Sequence, residues 1–86
     1  MQYPTLFSVQ KDHLLLTRFV KGRMRYYLLK IEETLFGGYL LEKVYGSMNY
    51  KKPTRVLKEY YDSWIDAKKI FDGLIKSKTK KGYSQS

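Results

Sequence analysis

The side chains that carry covalent or metal chemistry are nearly missing from this chain. It has no cysteine and one histidine, His13. Disulfide frameworks, thiolate zinc sites and cysteine nucleophiles are therefore excluded. A His-based metal site is excluded too, and a Ser-His-Asp arrangement would rest on His13 alone. The closest carboxylates, Glu32 and Glu33, are neighbours in what reads as a strand, so they point to opposite faces. Gly37-Gly38 lacks the strand-to-helix context and the following Lys-Ser/Thr of a phosphate-cradling loop. Catalysis needs at least a base and an orienting partner, and no such set can be assembled. The chain is expected to be non-enzymatic, with no cofactor and no metal.

Binding chemistry is better represented. From Lys43 to Arg55 the rings of Tyr45 and Tyr50 interleave with Lys51, Lys52 and Arg55 around Gly46 and Ser47. A polyanion with flat bases asks for this mixture: cations neutralise phosphates, and rings stack on bases or sugars. A glycine among them lets backbone approach a ligand closely. The same tyrosines also suit half-buried strand positions, with the lysines merely solvating a loop. A second cluster, Lys76-Ser77-Lys78-Thr79-Lys80-Lys81-Gly82-Tyr83, places Lys78, Lys80 and Lys81 at a helix end. Lysines there equally complement the helix dipole.

The charge balance points the same way. Seventeen Lys and Arg face eight Asp and Glu in 86 residues, a net charge of +9. Such an excess attracts nucleic acid, anionic membrane or acidic proteins. Residues 1–42 carry +2 of it and residues 43–86 carry +7. The longest aliphatic run, Leu14 to Leu16, is far short of the roughly 18–20 residues of a membrane span. The start, Met1-Gln2-Tyr3-Pro4, lacks the features of a signal peptide. A cytoplasmic protein with no membrane association is expected. One domain is all the length allows, and it buries roughly 60–65% of its unfolded surface.

The elements that must position these residues follow from periodicity. Leu6 to Val9 is a short candidate strand, and His13 to Val20 a longer one. Lys21-Gly22-Arg23 turns the chain into Arg25 to Glu33. After a turn at residues 34–38 comes Tyr39 to Ser47, with Leu40, Glu42 and Val44 on one side and Tyr39, Leu41, Lys43 and Tyr45 on the other. A loop, Met48 to Pro53, leads into Thr54 to Tyr61. Short connections make this an antiparallel meander. Ser63 then caps a helix whose stripe is Trp64, Ala67, Phe71, Leu74 and Ile75, with Asp66 in its first turn. The predicted fold is α+β: a twisted antiparallel sheet of four to five strands with one C-terminal helix on one face. Residues 1–79 form the domain and residues 80–86 a basic, polar tail. One helix leaves the second sheet face open. About half of the nine tyrosines are expected in the core, and the rest on that open face near Arg18, Arg25, Lys43 and Arg55.

The order of these residues resembles the WGR domain, a small module of poly(ADP-ribose) polymerases and of many short bacterial proteins. Arg25-Tyr26-Tyr27 is similar to the family's Lys-Phe-Tyr strand opening. Tyr39 to Asn49 corresponds to the strand leading into Trp-Gly-Arg-x-Gly. Ala67 and Phe71 match the family's helix, and Lys78-Thr79-Lys80-Lys81-Gly82-Tyr83 its Lys-Thr-x-x-Gly-Tyr close. The signature Trp is Tyr45 here, its Arg is Ser47 and its final Gly is Asn49. The polymerase versions continue past the helix into further strand, whereas this chain stops at Ser86. The resemblance implies a DNA-gripping module without polymerase activity, in which Tyr45 stacks in place of the Trp and Ser47 cannot replace a guanidinium fork.

Two readings stand side by side. In one, the domain binds nucleic acid, mainly through phosphates near a strand end, using Tyr45, Gly46, Ser47, Tyr50, Lys51, Lys52, Arg55, Lys78, Lys80 and Lys81. In the other, a tyrosine-rich sheet face docks onto a protein or onto a second copy.

Overall fold

Alternating apolar and polar residues become four long strands, and the apolar stripe becomes one helix. The computed structural model describes residues 11–85, so the candidate strand Leu6 to Val9 lies outside the described residues. The elements are β1 (Lys11–Val20), β2 (Arg23–Glu33), β3 (Tyr39–Ser47), β4 (Arg55–Tyr61), α1 (Trp64–Lys80) and β5 (Ser84–Gln85). They form one sheet in the order β4-β3-β2-β1-β5, with every described neighbour pair antiparallel.

β1 to β4 follow the expected meander, and β5 is the addition. Residues 84–85, whose composition reads as a polar tail, pair with Leu16 and Thr17 on the edge of β1. An edge strand offers unpaired backbone N–H and C=O groups whatever the side chains nearby. A lysine- and serine-rich segment can therefore complete a sheet that its composition does not advertise. α1 thus carries the chain from the β4 edge across to the β1 edge.

The helix starts and stops where its residues dictate. Ser63 Oγ accepts the Asp66 N–H at 3.2 Å, and Asp66 lies in the first turn. At the other end the Gly82 N–H donates to the Thr79 carbonyl at 3.1 Å, and the Tyr83 N–H to the Lys78 carbonyl at 3.1 Å. This pair of bonds is a Schellman motif. It requires a residue with positive φ, and Gly82 has φ +103°. The closing motif Lys78 to Tyr83 is therefore first of all a helix terminator.

Strand parity decides which residues the helix covers. Leu16, Tyr27, Leu29, Ile31 and Leu41 share the helix side and form the buried core with Ala67 and Phe71. Truncating a buried Phe such as Phe71 to Ala typically costs about 3–5 kcal/mol. Leu14, Tyr39, Tyr45, Tyr61, Trp64, Leu74, Ile75 and Tyr83 pack around that core, half-buried. The opposite side carries the aliphatic row Leu15, Leu28, Val44 and Val56, in cross-strand register with no helix over it among the described residues. The β2–β3 turn, closed by the Thr34 N–H to the Gly38 carbonyl at 2.7 Å, holds Leu35 and Phe36 out at 98% exposure each. No helix among the described residues is long and apolar enough to cross a membrane.

Candidate functional site

In an antiparallel meander the first and third connections lie at the same end of the sheet. Here those are the β1–β2 hairpin and the β3–β4 loop, and α1 finishes above them. A line through the paired residues Leu16, Tyr27, Tyr45 and Arg55 divides the sheet across its strands. Residues 16–27, 45–55 and 73–85 make up the end from that line onward. They contain eleven Lys and Arg and not one Asp or Glu. None of the eleven forms an ion pair with a described residue, since the ion pairs there use Lys30, Lys43, Lys58 and Lys68.

At the centre of this end is an aromatic stack. The rings of Tyr27 and Tyr45, cross-strand neighbours, lie parallel within 4° at a centroid distance of 5.3 Å. Tyr83, brought in by the Schellman turn, meets Tyr27 edge-on at 6.3 Å. The Lys78 ammonium stands 4.4 Å from the Tyr27 ring centroid, a cation–π contact. Burial, and then the charges of Lys81 and Lys43, hold the Lys78 ammonium below its usual pKa. An arriving anion would relieve that strain. Burial first, and then Tyr45, Tyr83 and Glu59, push the Tyr27 phenol up, so it stays neutral.

Arginines surround the stack. Arg18 and Arg25 are cross-strand partners on the helix side. Arg18 also packs beside Gly82, where an added Cβ would sit 3.2 Å from its Nε. Arg23 Nη1 donates to the Tyr50 hydroxyl at 3.2 Å, with its guanidinium 5.9 Å from that ring's centroid. An open groove of about 460 Å³ is lined by Val20, Lys21, Arg23 and Arg25. A depression of about 90 Å³ follows between Arg25, Tyr26, Tyr45, Gly46, Thr54 and Tyr83. Its size suits one phosphate group better than a whole nucleotide.

The ten residues singled out from the sequence do reach one end of the molecule, but in different roles. Tyr45 and Lys78 belong to the stack. Tyr50, Lys51, Lys52 and Arg55 are exposed on and just after the β3–β4 loop, and Lys80 and Lys81 are exposed at the helix end. Gly46 and Ser47 are buried and turned to their own chain. A Cβ on Gly46 would come within 2.8 Å of the Thr54 nitrogen and 3.2 Å of the Pro53 Cα. The backbone that Gly46 admits is thus the returning loop. Ser47 is 6% exposed, and its Oγ accepts the Asn49 N–H at 3.3 Å and donates to Asn49 Oδ1 at 3.4 Å. Its backbone carbonyl accepts the Tyr50 N–H at 3.1 Å. Ser47 and Gly46 therefore shape the loop that displays Tyr50, Lys51 and Lys52.

The platform of tyrosines and arginines lies on the opposite side from the one expected. Arg18, Arg25, Lys43 and Arg55 have the parity of Tyr27 and Tyr45, so they flank the end of the helix and not the open face. Tyr39, Tyr61 and Tyr83 also pack on the helix side, leaving only Tyr26 and Tyr60 on the open face among the described residues. Arg23, not selected from the sequence, was within reach of it. A two-residue turn at Lys21-Gly22 pairs Val20 with Arg23 and Arg18 with Arg25, so both arginines follow from the hairpin register.

Comparison with known proteins adds one result. The model of the WGR domain family matches residues 11–86. No curated protein and no solved structure matches the chain.

Proposed function

The chain belongs to the WGR domain family, and from that premise we infer that it binds nucleic acid as a non-catalytic module. The observation that carries this reading is the end with eleven cations and no Asp or Glu among its described residues, built around the Tyr27–Tyr45–Tyr83 stack. The resemblance to the DNA-gripping polymerase modules supports the same partner. Phosphates supply the affinity, and Tyr45 offers its ring beside the phosphate-sized depression.

The signature arginine that Ser47 replaces has a spatial substitute. Arg25 is the cross-strand partner of Ser47, and directly paired side chains start about 4.5–5.5 Å apart at Cβ. A guanidinium from β2 therefore reaches the region that β3 would otherwise serve. Exposed Lys51, Lys52, Arg55, Lys80 and Lys81 extend the positive surface on both sides, and Lys78 contributes from beneath. A tyrosine-based protein-docking face has less support, because the open face holds only Tyr26 and Tyr60 among the described tyrosines.

Titration of a nicked or blunt-ended duplex at two salt concentrations tests the reading. Each phosphate contact contributes about −0.9 to the slope of log K against log salt. Engaging about half of the eleven cations predicts a loss of roughly 10³-fold between 50 and 200 mM salt. Absence of saturable binding at the lower salt overturns the proposal.

A further inference from the structure

The rim of the sheet at the cation-rich end carries an apolar row that the phosphate contacts leave unused. The β1–β2 hairpin closes in two residues, Lys21 at φ +50° and Gly22 at φ +80°. Both positive φ values match a type I′ turn, whose twist fits the flanking strands. The hairpin tip is therefore a stiff mount. Phe19 and Met24 face each other across it on the helix-free side. The Met48 N–H donates to the Met24 carbonyl at 2.9 Å, which extends the same row by one residue. Phe19 is 67% exposed and Met48 50% exposed.

An exposed Phe and Met in water cost solvation free energy and add nothing to the core. Their surroundings narrow what covers them. Lys21 sits at the hairpin turn, Lys51 and Lys52 follow Met48 after two residues, and no Asp or Glu occurs among the described residues of this end. Flat and flexible apolar groups fringed by cations match a polyanion that exposes flat apolar surface. Paired bases in a duplex hide that surface, and unpaired bases present it. Phe and Met are also among the side chains that stack on or wedge between bases.

We propose that the Phe19–Met24–Met48 row is a base-stacking site for single-stranded nucleic acid, with Lys21 at the hairpin tip and Lys51 and Lys52 on the neighbouring loop holding the flanking phosphates. This rests on the nucleic-acid reading above but assigns a separate surface and a separate form of the ligand. The stack of Tyr27, Tyr45 and Tyr83 lies on the helix side, and the row lies across the rim from it.

The test compares two oligomers with the same number of phosphates, a twelve-residue oligothymidylate and a twelve-residue abasic strand, by fluorescence anisotropy at low salt. The wild-type protein is expected to bind the thymidylate about 5- to 100-fold more tightly, the worth of an aromatic–base stack. Phe19→Ala removes that preference and leaves the salt slope unchanged, while Phe19→Trp keeps it. Thermal melting confirms that both variants fold, as the exposure of Phe19 leads one to expect. Equal binding of both oligomers by the wild-type protein overturns the proposal and leaves the phosphate reading standing. Retention of the preference in Phe19→Ala does the same. Binding of neither oligomer and of no duplex overturns both. Phe19-dependent binding to phosphatidylserine vesicles, with no preference between oligomers, reassigns the row to a membrane and overturns the proposal.

Discussion

The two ends of this small sheet use charge in opposite ways. Around the start of the helix, Lys30, Lys43, Lys58, Lys68 and Lys69 share the surface with all eight Asp and Glu side chains. There Lys68 bonds to Asp12 at 2.7 Å and lies 3.4 Å from Asp72, Lys43 meets Glu59 at 3.3 Å, and Glu42 takes both Lys30 and Lys58. Around the end of the helix, eleven cations have no described acidic partner. Intramolecular pairing engages four cations and four carboxylates of the first end, linking neighbouring strands and tying the helix to β1. The second end repels itself, which weakens the fold slightly and leaves its attraction available for an external anion. The net charge of +9 is thus the sum of one nearly neutral end and one strongly cationic end.

The largest effect should come from neutralising the cationic end. Replacing Arg18, Arg23, Arg25 and Arg55 together by Gln is expected to lower the salt slope for duplex DNA by roughly 3–4 and to abolish binding at moderate salt. Replacing Lys30, Lys58, Lys68 and Lys69 removes the same charge from the other end and should leave most binding intact, with anisotropy titrations reading both. Equal losses in the two variants would erase the distinction between the ends.

Next in size is the mount of the cationic loop. Gly46→Ala drives a Cβ against backbone at Thr54, and overpacking of this kind costs about 1–3 kcal/mol. Denaturant unfolding should show that loss, and binding should fall with it as Tyr50, Lys51 and Lys52 are displaced. An unchanged midpoint would mean that the loop is not tied where the sheet ends.

A smaller effect belongs to the paired end. The hydrogen bond from Lys68 holds the Asp12 carboxyl below its usual value of 3.8. Its stabilisation is therefore fully present above pH 4 and lost as pH falls through the lowered folded value. The same bond raises Lys68 above 10.5, so that share persists below pH 10.5 and is lost as pH rises through the raised value. The side chains are 43% and 33% exposed, and such a pair contributes roughly 0.2–1 kcal/mol. Unfolding curves of Asp12→Asn and wild type should converge as pH falls through the lowered Asp12 value and separate by that amount at pH 7. The smallest change is expected from Leu35→Ser with Phe36→Ser. Both residues are almost fully exposed, so stability should stay within about 0.5 kcal/mol.

Much of this fold was legible in the chain. The helix stripe from Trp64 to Ile75, the Ser63 cap and the strand Tyr39–Ser47 appear where periodicity and capping chemistry put them, because these are local rules. β5 was not legible, since a two-residue edge strand draws on backbone pairing and leaves no side-chain pattern. The candidate site was legible in part. Tyr45, Lys78, Tyr50 and Arg55 were visible as aromatic and basic residues, but which face they occupy depends on register across three hairpins. Gly46 and Ser47 looked like ligand contacts because a glycine makes room, and only the returning loop shows that the chain itself fills that room.

Taken alone, the sequence determined the family, the α+β architecture, the absence of thiol chemistry and the overall positive charge, all properties of composition and short-range pattern. It divided that charge into +2 and +7 along the chain, a mild asymmetry. The tertiary structure converted it into one end with eleven cations and no Asp or Glu among the described residues. An antiparallel meander places its first and third turns side by side, and a helix crossing the sheet sets its lysine-rich end above them. Three segments distant in sequence thereby become one surface.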